Sequence, residues 1–209
     1  MSLEQLLEIA PPPILPPVDA GTPQQWTQVE AALGTELPTD YKALVNAYGA
    51  GWFGNYLTVY DPFHPAHRYP SVLSVFKKSY DERLLVLAER EIVYDYERRF
   101  LFSPDANGLL PWGKDDNNGL FCWLTVGAPD TWQTIVLSDD WDIFVQYPQT
   151  AVAFLVSWLT GRVDPDFYPP EVYPFHAPLF RHEIDYDLYE VNGLAIGSIV
   201  PPHPPDRAE

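Results

Sequence analysis

The side chains of this sequence that could do chemistry are mostly carboxylates in two short turns. These turns contain Asp115 and Asp116, followed by Asn117-Asn118-Gly119, and then Asp139, Asp140 and Asp142 around Trp141. Neighbouring carboxylates can move protons or receive the basic side chains of a partner. The first turn has the composition of a calcium loop. However, the alternating ligands and the closing glutamate of such a loop are absent, because positions 120–126 are apolar. We therefore interpret both turns as exposed hairpin tips or as a partner-binding surface, with Asp115, Asp116, Asp139, Asp140, Trp141 and Asp142 as candidate contact residues.

The remaining reactive side chains form no recognisable catalytic or metal-binding motif. His64 and His67 are three residues apart, but Pro62 and Pro65 prevent the helix that would align them as ligands. Cys122 lies in an apolar segment, which favours a buried structural thiol over a nucleophile. The sequence has no glycine-rich phosphate loop, no paired-cysteine zinc motif and no nucleophile elbow. We therefore predict no catalytic residues, no metal site and no cofactor.

Composition narrows the classes of partner. The chain has 209 residues, with 29 acidic and 12 basic side chains and a formal net charge of −17. Because nucleic acids and anionic membranes are bound through clustered Lys and Arg, this charge argues against both. It is compatible with a basic protein partner and equally with an acidic surface that only keeps the protein soluble. A single cysteine, an acidic N-terminus unlike a signal peptide and the lack of a long apolar run predict a soluble cytoplasmic protein.

Helix and strand signals alternate in an order typical of an α+β protein. Helices are predicted from Ser2 to Ile9, from the cap Thr22 to Gly34, from Pro38 to Gly49, over 71–98 and over 148–159. Short strands are predicted over 56–60, 109–112, 120–126, 134–138 and 143–147. The Asn118-Gly119 pair marks a tight turn, since both residues tolerate positive φ. Short connections between these strands favour an antiparallel meander.

These elements predict a single α+β domain with a mainly antiparallel (mixed) sheet of about five to six strands and helices packed around it. Residues 1–21 form a short helix and a proline-rich linker, 22–162 form the domain, and 163–209 form a proline-rich acidic C-terminal arm. Four tryptophans inside predicted elements are assigned to the core: Trp112, Trp123, Trp132 and Trp158. Trp52 and Trp141 are the candidates for partial exposure, as interface anchors, although a core position is the favoured interpretation for each.

Two groups of residues in this order resemble the SUKH superfamily of Smi/Knr-type proteins. The first comprises Trp26, Val29-Glu30, Leu33-Gly34, Leu37-Pro38, Asp40-Tyr41-Lys42, Leu44, Tyr48-Gly49 and Gly51. The second comprises Leu110-Pro111-Trp112-Gly113, Asn118-Gly119, Cys122-Trp123 and Phe154-Leu155. The resemblance covers about residues 22–162. In this family the matched residues serve as scaffold, which implies Trp26 and Leu33 in the core, Gly34 and Gly49 at helix ends, and Gly113 and Gly119 in turns.

The resemblance also implies a function. Most bacterial members of the family resemble immunity proteins, which are non-enzymatic cytoplasmic proteins that neutralise toxin domains, many of them nucleases. The expected function is therefore occlusion of a basic toxin by an acidic surface. Fungal relatives are linked to cell-wall signalling, so a regulatory scaffold or hub protein is the alternative. An enzyme or small-molecule sensor that uses a carboxylate cluster is a further alternative, with no motif in its support.

Overall fold

A computed structural model describes residues 1–12, 17, 19–54, 56–64, 78, 107–139, 144–163 and 180–182. The helices are α1 (Leu3–Ile9), α2 (Pro23–Leu33), α3 (Thr39–Tyr48) and α4 (Ala151–Leu159), with a 3-10 turn at Pro129–Thr131. The strands are β1 (Gly51–Phe53), β2 (Leu57–Val59), β3 (Leu109–Asp115), β4 (Leu120–Leu124), β5 (Gln133–Leu137), β6 (Phe144–Tyr147) and β7 (Phe180–His182). The predicted helix over 71–98 lies outside the described residues, apart from position 78.

The strands form one sheet in the order β6-β5-β4-β3-β2-β1-β7, and every neighbouring pair is antiparallel. Strands β1 to β6 follow each other in space as they do in sequence, so the predicted meander and the α+β class are confirmed. The seventh strand comes from the C-terminal arm. It pairs with β1 and adds one strand to the five or six that were expected.

Local sequence signals place the helix ends correctly. The Thr22 side chain accepts a hydrogen bond from the backbone N–H of Gln25, while the Gln25 side chain accepts one from the backbone N–H of Thr22. This reciprocal capping box starts α2, and Gly34 ends it in the left-handed conformation with φ 73°. Gly49 follows α3 with φ 68°, which only glycine adopts at little cost. The predicted ends of α2 and α3 are therefore confirmed.

The start of α4 differs from the expectation. The helix begins at Ala151 rather than at 148, because the Thr150 hydroxyl accepts a hydrogen bond from the backbone N–H of Ala153 and serves as the N-cap. Strand β1 had no predicted counterpart. Its three residues are too few to show the alternation of polar and apolar side chains that identifies a strand.

The helices cover one face of the sheet and bury most of the aromatic side chains there. Trp112, Trp123 and Trp158 are fully buried and Trp132 is 3% exposed, so their assignment to the core is confirmed. Alternate residues of β4 and β5 face the other side of the sheet, where a second apolar cluster contains Leu109, Leu120, Cys122, Ile135 and Leu137. Burial on both faces explains why the sequence of β4 is continuously apolar.

Candidate functional site

The meander brings three hairpin ends together at one end of the sheet. Leu57 at the start of β2 pairs with Asp115 at the end of β3, and Leu120 at the start of β4 pairs with Leu137 at the end of β5. The β1–β2, β3–β4 and β5–β6 connections therefore lie side by side. We call this region the acidic end, and its described members are Tyr56, Asp115, Asp116, Asn117 and Asp139.

Asp115 is a buried carboxylate that holds the β3–β4 turn together. Its side chain is 6% exposed. One oxygen, Oδ1, accepts hydrogen bonds from the backbone N–H groups of Asn117 at 2.9 Å and Gly119 at 2.7 Å. A carboxylate that accepts two backbone hydrogen bonds fixes the chain locally. Asp115 thus acts on the surface through the turn that it orders, and its neighbour Asp116 is the exposed member of the pair.

Of the two motif glycines that the resemblance placed in turns, Gly119 lies in the β3–β4 turn, whereas Gly113 lies inside a strand. Asn118 supplies the positive φ of the β3–β4 turn, at 65°. Gly119 is required by space instead, since a Cβ at this position would lie 2.5 Å from Oδ2 of Asp115. Gly113 lies within β3 beside a register shift rather than in a turn. There a Cβ would lie 2.7 Å from the backbone oxygen of Thr58 on the adjacent strand.

Tyr56 belongs to the same end of the sheet, although sequence analysis did not select it. Its hydroxyl accepts a hydrogen bond from Nδ2 of Asn117 at 2.7 Å. Burial raises the pKa of Tyr56 to about 12, and the charges of Asp115, Asp116 and Asp139 act in the same direction. Both acidic turns therefore act electrostatically on one phenol. The only hint in the sequence was the position of this residue at the start of a predicted strand.

The carboxylates of the acidic end also affect each other. Burial raises the pKa of Asp115 against the effect of its two backbone hydrogen bonds, and the charges of Asp116 and Asp139 raise it further. Burial raises the pKa of Asp116 as well, while Lys114 opposes that change. Asp116 and Asp139 are exposed to solvent. The other candidate contact residues, Asp140, Trp141 and Asp142, lie outside the described residues.

Of the remaining candidate residues, the structure describes Cys122 and His64. Cys122 is fully buried and burial raises the pKa of its thiol, as expected of a structural cysteine. The backbone N–H of His64 donates a hydrogen bond to the backbone oxygen of Asp61, and His67 lies outside the described residues. Among the residues that the structure describes, no group of three or more His, Cys, Asp or Glu side chains is arranged to hold a metal ion. No helix in the same part of the chain is long and apolar enough to cross a membrane.

The fold and the site define an α+β protein with an antiparallel meander, helices on one face and acidic hairpin ends gathered at one end. A model of the family SUKH_6, described as SMI1-KNR4 cell-wall, matches residues 23–155, which is more than half of the chain. The chain therefore belongs to the SUKH superfamily, as the sequence motifs implied. Searches of the curated proteins and of the solved structures returned no match.

Proposed function

We propose that this protein is a non-enzymatic immunity protein that neutralises a toxin by covering it, with the acidic end as the contact surface. The toxin would present a basic face, of the kind that a nuclease uses to hold nucleic acid. Binding of the acidic end to that face would exclude the nucleic acid without any chemical step. This proposal extends the membership of the SUKH superfamily, which by itself supports an SMI1/KNR4-like domain.

The observation that carries the proposal is the convergence of the two acidic turns. Asp116 and Asp139 are 23 positions apart in sequence, yet the register of β2 to β5 brings the turns that contain them to the same end of the sheet, and both charges raise the pKa of Tyr56. Both are exposed, whereas Asp115 is buried and orders the backbone beside them. Exposed charges of one sign on a fixed backbone attract a partner of opposite charge and speed its association.

The other described groups with raised pKa values are committed to the fold. Asp115 is occupied by two backbone N–H groups, Cys122 is enclosed between strands, and Tyr48 donates its hydroxyl hydrogen to the backbone oxygen of Ala10 at 2.7 Å. The phenol of Tyr56 is protonated at neutral pH, as is usual for tyrosine, and its raised pKa extends that state to higher pH. Asp115 and Tyr56 are therefore engaged in the structure of the acidic end, while Cys122 and Tyr48 are engaged in the core, which is consistent with a binding surface.

The first experiment is co-expression of this chain with the toxin encoded beside it. We expect growth to be restored and a stable complex to be isolated. Persistent killing without a complex would refute the proposal.

The second experiment locates the interface with the double variant Asp116→Asn and Asp139→Asn. Because exposed charges mainly affect association, we expect the association rate to fall roughly three- to tenfold at low salt, with a weaker salt dependence. The matched control is Glu8→Gln with Glu36→Gln, which removes the same charge from exposed residues outside the acidic end. Equal slowing by both double variants would place the contact elsewhere.

A regulatory hub is the second candidate, and the description of the matched family as cell-wall favours it. A hub would bind several cellular proteins, whereas an immunity protein binds one toxin. Affinity purification of the full chain from its own cells distinguishes the two. Recovery of many partners, unaffected by substitutions at the acidic end, would support the hub.

A further inference from the structure

Strand β1 would be an unprotected edge of the sheet without β7. Exposed edge strands are normally protected by charged residues, by proline or by a covering segment, because their free N–H and C=O groups pair with other chains. The sequence of β1 is Gly51-Trp52-Phe53, which contains neither charge nor proline. The matched family region, 23–155, contains β1 to β6 but not β7. The described strand that pairs with this side of β1 therefore comes from outside the matched region.

The side chain of Phe180 fits β7 into a slot made by two aromatic rings. Phe180 pairs directly with Phe53, with their ring centroids 4.9 Å apart, and its centroid lies 4.8 Å from that of Tyr48. Phe180 is 8% exposed. The slot itself is built by the domain, since Tyr48 and Phe53 pack edge to face at 5.0 Å and the Tyr48 hydroxyl donates to the backbone oxygen of Ala10.

We propose that this edge is a strand-acceptor site that the C-terminal arm occupies reversibly. The site comprises the backbone of β1 and the slot that the adjoining rings of Tyr48 and Phe53 form together. It accepts an extended peptide segment with a large aromatic side chain opposite Phe53. Backbone pairing gives affinity and the slot gives specificity, as in other cases of strand addition to a sheet edge. In the protein alone, Phe180–His182 is the occupant.

The geometry of β7 favours exchange. The strand has three residues, at the short end of the range for strands, and Phe180 is its one described buried side chain. Three residues of backbone pairing and one described buried ring must offset the conformational entropy of an extended chain. The arm has an advantage over a free segment because it is covalently joined to the domain, so its pairing with β1 is intramolecular. A free segment competes once the tethered one is weakened.

The test uses the full chain and a fluorescent peptide with the sequence of residues 177–185. In the variant Phe180→Ala the slot loses its occupant, so we expect this variant to bind the peptide at least tenfold more tightly than the wild type does. A peptide with alanine in place of Phe180 should bind neither protein. The control protein is Phe144→Ala, which removes an aromatic ring from the opposite edge strand β6 and should behave as the wild type.

Three results would overturn the proposal: equal affinity of the wild type and Phe180→Ala, absence of binding to a folded Phe180→Ala chain, or equal binding of the alanine peptide. Hydrogen exchange of the wild type gives a test that needs no variant. The amides that join β1 and β7 should exchange at least tenfold faster than those between β3 and β4. Equal protection of the two ladders would show that β7 does not leave the edge, and would overturn reversible occupation.

Discussion

The strongest test of the site concerns Asp115, whose carboxylate is both buried and hydrogen-bonded. Asp115→Ala removes the acceptor of two backbone N–H groups, at 2.7 and 2.9 Å. Hydrogen bonds to a charged group contribute about 1.5–3 kcal/mol each, and removal of a buried charge offsets part of that loss. We expect the free energy of unfolding to fall by about 2–4 kcal/mol. Asp115→Asn keeps an oxygen at the same place, so it should stay within about 1 kcal/mol of the wild type at pH 7.

The difference in unfolding free energy between the wild type and Asp115→Asn should change with pH in a definite direction. Burial raises the pKa of Asp115 in the folded state above its ordinary value of 3.8. The folded protein therefore holds this proton to a higher pH than the unfolded chain does. As the pH falls from 7 through the raised pKa towards 3.8, the wild type should gain stability relative to Asp115→Asn. Below 3.8 the difference should stay constant, because the group is protonated in both states.

Urea unfolding followed by tryptophan fluorescence measures these differences at each pH. A companion variant, Gly119→Ala, places a Cβ 2.5 Å from Oδ2 of Asp115, so its cost should shrink when Asp115 is already alanine. The reasoning fails if Asp115→Ala lies within about 0.5 kcal/mol of the wild type. It also fails if Asp115→Asn is as destabilising as Asp115→Ala, since the loss would then not come from the hydrogen-bond acceptor.

Three further predictions concern other parts of the fold. Gly113→Ala should destabilise the protein by about 2 kcal/mol or more in the same unfolding assay, because its Cβ would lie 2.7 Å from the backbone oxygen of Thr58. Cys122 should react with a thiol reagent no faster than the protein unfolds, and rapid labelling of the native protein would contradict its burial. The N-terminus of α3 holds the pKa of Asp130 below its usual value of 3.8, so the stability lost in Asp130→Ala, about 1 kcal/mol or less at pH 7, should diminish as the pH falls through that lowered pKa.

Helix ends were predictable because the interactions that set them are local. Thr22 and Gln25 are three residues apart and complete their capping box without help from the rest of the chain. Positive φ at Gly34 likewise needs only its own backbone. The order of the meander followed from short connections between strands. These features explain why the α+β class could be predicted before any tertiary contact was known.

Strands β1 and β7 and the roles of single site residues depend on contacts between distant parts of the chain. Strand β1 and its partner β7 are each three residues long and about 130 positions apart, so neither has a periodic pattern. Tyr56 meets Asn117 across 61 positions. Adjacent Asp115 and Asp116 look equivalent in sequence, yet the first is buried under the turn and the second is exposed. The difference in their exposure depends on the register of β3 against β2 and β4, which the sequence alone does not show.

The two ends of the sheet use their carboxylates differently. In an antiparallel meander consecutive connections lie at opposite ends of the sheet, so acids in every second connection lie at the same end. At the end away from Tyr56, Asp130 in the β4–β5 connection accepts hydrogen bonds from the backbone N–H and the hydroxyl of Thr39, at 2.6 and 2.9 Å. The carboxylate of Asp130 therefore stabilises the N-terminus of α3. At the acidic end Asp115 alone has a comparable structural role, whereas Asp116 and Asp139 extend into solvent. Topology, rather than proximity in sequence, therefore brings the exposed carboxylates of Asp116 and Asp139 to the same end of the sheet.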